Sequence, residues 1–190
     1  MHPIRSVRPR TALSLAVPAL FGLAACTGMP APPSMPTFDQ AMLPEPVRVP
    51  AGHRVAMETV GVGEITYECR DRAQGGGQEW VFVGPEATLN DRAGRRVGRY
   101  YGPPATWESA DGSKLTATQV AIAPAAAGSI PLQLVKANPA MGAGAMTGVS
   151  YIQRVATKGG VAPASACDAG SRGRRETVRY QADYIFYRAG

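Results

Sequence analysis

Between residues 54 and 187 the apolar positions fall in short runs rich in Val, Ile, Thr and aromatic residues, cut at close intervals by Gly, Pro, Asn or Asp. Punctuation of this kind marks strands rather than helices. The pattern predicts strands over 54–60, 64–70, 78–83, 87–90, 106–109, 115–123, 131–137, 146–157 and 177–187. The last run alternates most clearly: Val178, Tyr180, Ala182, Tyr184 and Phe186 share one face and Arg179, Gln181 and Asp183 the other, so one face turns inward. Three turns are well specified, at Gly75-Gly76-Gly77, at Asp91-Arg92-Ala93-Gly94 and at Asp111-Gly112, and each joins an antiparallel hairpin. No stretch keeps a helical period beyond two turns. The expected fold is all-β, an antiparallel β-sandwich or barrel-like domain with short hairpins and little helix.

The start of the chain follows a different pattern. Arg5, Arg8 and Arg10 stand without an acid before an apolar run over 11–23, a positive segment followed by a short hydrophobic one. A membrane-spanning helix needs roughly 20 apolar residues, so this run reads as a cleaved leader over 1–25. Leu23-Ala24-Ala25-Cys26 resembles the lipobox of bacterial lipoproteins. That resemblance implies a diacylglycerol on the Cys26 thiol and a further acyl chain, such as palmitate, on its freed amine. Two or more chains anchor stably where one does not. Thr27 after the cysteine, where Asp would retain a lipoprotein at the inner membrane, implies the outer membrane and its periplasmic face.

From Thr27 to Pro50 there are seven prolines in 24 residues, which rules out a regular helix or a central strand. Residues 26–45 read as a tether, able to hold a domain at 46–190 up to roughly 70 Å from the membrane if extended as polyproline II. Phe38, Met42 and Leu43 are an apolar group able to dock on that domain. Three of the positive charges behind the net +6 lie in the leader, and what is left is too weak to argue for nucleic acid as a partner. Of three cysteines, assigning Cys26 to lipid leaves Cys69 and Cys167, which in an oxidising periplasm predicts one disulfide.

A series of phrases resembles the secreted bacterial and fungal family called domain of unknown function 3455. They are Gly63-Glu64-Ile65-Thr66-Tyr67-Glu68-Cys69, Trp80-Val81-Phe82-Val83-Gly84-Pro85-Glu86-Ala87, and Thr106-Trp107-Glu108 with Asp111-Gly112-Ser113. Further on come Ile130-Pro131-Leu132, Tyr151-Ile152-Gln153-Arg154-Val155, Lys158-Gly159-Gly160 through to Cys167-Asp168, and Tyr180 to Tyr187. The resemblance covers about 46–187 and implies a secreted or lipid-anchored all-β domain without an assigned activity. The chain departs from the family pattern in carrying Glu64 where Gln is frequent and Tyr100-Tyr101 where a His-aromatic pair is frequent.

The candidate chemistry is sparse. Only His53 remains once His2 leaves with the leader, which sets aside an imidazole-built zinc site and a Ser-His-Asp triad, and no cofactor is expected. Glu86, Glu108 and Asp111 lie near Trp80, Tyr100, Tyr101 and Trp107, a grouping of acids and aromatics that suits sugar binding or glycoside chemistry. The plainer reading makes Trp80 and Trp107 core anchors, Asp111 the cap of its own turn and Glu108 an ion-pair partner. Arg154, alternating with Ile152, is expected in a structural ion pair with a partner such as Asp183. Arg172-Gly173-Arg174-Arg175 reads as a solvated loop with some reach toward anionic headgroups. Gly142-Ala143-Gly144-Ala145 reads as a flexible connection, since the Lys-Ser/Thr of a phosphate loop is absent. The expected function is a lipid-anchored envelope module that binds a glycan or an envelope protein, with a carbohydrate-active enzyme as the alternative.

Overall fold

The computed structural model describes residues 39–190; the leader, Cys26, the first part of the tether and Phe38 lie outside the described residues. Eight antiparallel strands, β1 (His53–Asp71), β2 (Gln78–Asn90), β3 (Arg96–Tyr101), β4 (Thr106–Ser109), β5 (Lys114–Ala123), β6 (Leu132–Ala137), β7 (Val149–Gly159) and β8 (Arg175–Ala189), follow one another around a closed barrel. Each pairs with its neighbours in sequence, and β8 closes on β1 along a register running from His53 opposite Ala189 to Glu68 opposite Arg175. Closure removes the open strand edge on which another chain could template.

All three expected turns join hairpins: the glycine run links β1 to β2, Asp91 accepts from the amides of Ala93 and Arg95 between β2 and β3, and Asp111 accepts from Ser113 between β4 and β5. Two of the expected breaks are not breaks. Gly61-Val62-Gly63 lies inside β1 and Gly84-Pro85 inside β2. At Gly61 a Cβ would stand 2.6 Å from the Tyr184 ring, so the glycine gives inward space to a large neighbour and does not end the strand. Strand β3 escaped the pattern because its buried inward positions are Gly98 and Tyr100, which leave no apolar alternation to see.

The inward face of β8 is the one its alternation predicts. Tyr180, Ala182, Tyr184 and Phe186 fill the lumen with Ile65, Leu89, Tyr100, Trp107, Leu115 and Ile152. Aromatic contacts knit this filling: Tyr100 stacks on Trp107 with ring centroids 4.5 Å apart, and Tyr184 leans on both.

A second core lies outside the barrel. Leu43, Val47 and Val49, carried on two 3-10 turns (Gln40–Met42 and Glu45–Val47), cover Ala123, Leu134, Val155, Ile185 and Tyr187 on the outer wall. Of the apolar group expected to dock, Leu43 is buried while Met42 is 82% exposed. The strap is held by polar bonds as well. The buried Gln153 amide donates to Val47 O at 2.6 Å and to Gln40 Oε1 at 3.0 Å, while its oxygen accepts from the Tyr187 hydroxyl at 2.6 Å. Every side-chain hydrogen-bonding group of Gln153 thus has a partner, which is what permits an amide in an apolar layer.

Candidate functional site

The residues singled out in the sequence do not converge on one place. Tyr100 and Trp107 face the lumen, 5% and 2% exposed, and serve as core; neither offers a ring face to a sugar. Trp80 sits near the disulfide, its indole donating to Ser165 O at 2.9 Å and the Arg174 guanidinium lying 5.4 Å from its ring. The Cys69–Cys167 disulfide is formed, with Cα atoms 5.5 Å apart. Asp111 is the anion of its own neighbourhood: it accepts from Ser113 N, Ser113 Oγ and Ala145 N. These bonds hold its carboxyl down at about 2, the Ser113 hydroxyl contributing most. The 142–145 segment therefore does receive a carboxylate, one supplied by the chain itself.

One expectation about arginine needs correction. Arg154 does not pair with Asp183. Its cross-strand partner is Tyr184 while Asp183 stands opposite Val155, and residues one step apart on a strand point to opposite faces. Asp183 instead takes Arg92 Nη1 at 2.6 Å, with Glu58 on the same guanidinium at 2.9 Å. The 172–175 arginines are each engaged: Arg172 with Asp71, Arg174 with Glu176 and Arg175 with Glu68, at 2.6 to 2.8 Å. All three arginines are nonetheless exposed, as expected of a solvated loop.

What the fold does assemble is a charged belt across the outer wall. Glu108 stands opposite Arg99, Tyr101 opposite Glu86, Glu86 opposite Glu64, and Glu64 opposite Arg179, with Lys158 on the next strand opposite Gln181. The end at β3 and β4 is closed on itself. Glu108 accepts from the Tyr101 hydroxyl at 2.8 Å and from Arg99 at 3.0 Å, and Arg99 lies over the Tyr101 ring. The hydroxyl first and the guanidinium second hold the Glu108 carboxyl below its ordinary range, and the same carboxylate raises the Tyr101 hydroxyl. A carboxyl kept ionised in this way is in the wrong state to donate a proton at neutral pH.

The other end of the belt is open. Val62, Gly63, Glu64, Glu86, Thr88, Lys158, Arg179 and Gln181 line a surface groove of ≈ 750 Å³. Glycine permits close packing beside the groove: Gly63 has no room for a Cβ against the Glu86 carbonyl, and one on Gly160, just past β7, would stand 2.9 Å from Tyr180. Among the described residues none of Glu64, Glu86, Lys158 or Arg179 takes part in an ion pair or a side-chain hydrogen bond. Two like charges directly opposite on paired strands work against the fold. Glu64 and Glu86 are such a pair, with the two cations of β8 and β7 on the far side of the groove. Sequence reasoning found Glu86 and missed Glu64, Lys158 and Arg179, since only the closure of β8 onto β1 brings them together.

The described chain is an up-and-down all-β barrel with a filled lumen, one disulfide and a charged groove on its outer wall. The chain belongs to the family described as Protein of unknown function (DUF3455), whose model matches residues 50–188. No curated protein and no solved structure matches the chain.

Proposed function

We propose that this protein is a binding module of the bacterial cell envelope, anchored by lipid on Cys26 at the periplasmic face of the outer membrane and using the outer-wall groove as its ligand site. The observation that carries this reading is the set of four charged side chains, Glu64, Glu86, Lys158 and Arg179, that line the groove without an ion pair among the described residues. Acids on one side and bases on the other complement a ligand bearing both an ammonium and a carboxylate, and the peptide-bearing glycan of the cell wall is one of that chemistry. Thermal unfolding of the chain carrying Cys26→Ser, with wall-derived glycopeptides, neutral glycans and lipid headgroups as probes, tests it. A ligand at 100 times its dissociation constant adds about 2.7 kcal/mol, a shift of several degrees in a domain of this size. We expect the glycopeptide to produce it and the double variant Glu86→Gln, Arg179→Gln to abolish it with the fold intact; no shift with any probe sinks the groove reading.

One observation favours a second reading, a carbohydrate-active enzyme. Glu64 and Glu86 are cross-strand neighbours in the same groove, and glycoside hydrolysis uses paired carboxyls. Glu86 remains available to that reading, whereas Glu108 and Asp111 are committed to bonds that keep them ionised. Release of reducing ends from a wall glycan, lost on Glu86→Gln, would establish it; saturable binding without turnover favours the module.

A further inference from the structure

The four charges that line the outer-wall groove stand in a set order. Glu86 on β2 lies opposite Glu64 on β1, and Glu64 lies opposite Arg179 on β8. Lys158 on β7 lies opposite Gln181, two residues along the same face of β8 from Arg179. Across four neighbouring strands the row therefore runs acid, acid, base, base, and at the usual strand spacing it is roughly 15 Å wide. All four side chains are exposed. This order sets like charges side by side, and the directly opposed carboxylates of Glu64 and Glu86 work against the fold.

The last charge reaches the row through a bulge in β7. Val155 pairs with Asp183 and Lys158 with Gln181, so Ala156 and Thr157 together stand against the single residue Ala182. Regular pairing would set Lys158 opposite Tyr180, which faces the lumen, and would turn the lysine inward. The extra residue turns it out beside Arg179 instead. Ala156 takes φ 49° to do so, a left-handed conformation that strains any residue with a Cβ and that persists where the surrounding structure requires it.

A row of two acids and two bases is complementary to itself. Turned over about a two-fold axis that runs along the strands between β1 and β8, it reverses: Glu86 meets the Lys158 of the other copy, Glu64 meets its Arg179, and the symmetry repeats both pairs. Val62, 48% exposed on the same face as Glu64, lies beside that axis and is covered by the second copy. We propose that the groove face is a two-fold interface whose occupant is a second copy of this chain. The interface uses the unpaired charges on which the ligand reading also rests, and a copy seated there closes both grooves to ligand.

Sedimentation of the chain carrying Cys26→Ser, over a range of concentrations in dilute buffer and in strong salt, tests it. Exposed ion pairs are individually weak and screened by salt, so we expect a reversible monomer to dimer equilibrium that strong salt loosens roughly tenfold or more. Glu64→Lys with Glu86→Lys makes the groove all basic, and Lys158→Glu with Arg179→Glu makes it all acidic. Each should be monomeric alone, while an equal mixture should form a heterodimer at least as tight as the native pair. A native chain that stays monomeric in dilute buffer at roughly millimolar concentration overturns the proposal. Self-association of either variant at native strength overturns it as well, since the contact then lies elsewhere, and so does growth past the dimer, which marks a contact that does not close. If a variant fails to fold, the native chain decides: association that salt leaves unchanged overturns the proposal. A native dimer without a glycopeptide shift leaves the interface standing and sinks the ligand reading alone; a glycopeptide shift on a chain monomeric throughout does the reverse.

Discussion

Asp111 shows how much one side chain does when a turn is built around it. Its two oxygens accept from Ser113 on one side and from Ala145, more than thirty residues later, on the other. A carboxyl held at about 2 when folded, against roughly 3.9 when unfolded, stabilises the protein above about pH 4 and loses that contribution as pH falls through 2. Asp111→Asn should therefore lie below the native chain in thermal midpoint at neutral pH, and the gap should close between pH 4 and 2. A gap that is constant with pH would show that the bonds, and not the ionised state, carry the effect. Sequence alone placed Asp111 in a turn, but its bond to Ala145 depends on where a distant loop lands.

At the scale of elements, two fastenings hold the barrel from outside its hydrogen-bond ladder. The Cys69–Cys167 disulfide closes 98 residues, and the chain-entropy account values such a crosslink at about 4 to 5 kcal/mol. Replacing both cysteines with Ser should lower the thermal midpoint by on the order of 10 °C while leaving the far-ultraviolet spectrum of the folded state unchanged. The second fastening is the strap at 39–49. Val47 is fully buried between it and the outer wall, and its carbonyl takes the Gln153 amide. Val47→Asp places an unpaired charge in that layer, and detachment of the strap costs less than unfolding the barrel. Trypsin cleavage at Arg48 should then quicken at least tenfold, with the barrel retained; equal cleavage rates would mean that the strap is held without its apolar contacts.

For the whole molecule, the division of labour is between an interior that is filled and an exterior that is charged. Tyr100, Trp107, Tyr184 and Phe186 fill the lumen, while Glu64, Glu86, Lys158 and Arg179 line a groove on the outer wall. The proposed lipid on Cys26 would hold that wall near a membrane surface. Replacing Cys26 with Ser should move the protein from the membrane fraction to the soluble one; unchanged retention would show that attachment does not depend on that thiol.

The fold class was legible in the sequence because alternation at period two and turn chemistry at Gly75–Gly77, Asp91–Gly94 and Asp111–Gly112 are local properties. The disulfide followed from counting cysteines. Local pattern failed where a residue's role depends on what faces it: Gly61 and Gly63 read as breaks because what crowds them, the Tyr184 ring and the β2 backbone at Glu86 and Ala87, comes from other strands, and β3 was invisible because Gly98 and Tyr100 form its buried face. Barrel closure, the inward turn of Arg154 and the meeting of Glu64 and Glu86 with Arg179 and Lys158 were decided only by the tertiary structure. Each depends on pairing register between strands far apart in sequence, and register is fixed by the packing of the whole inner face.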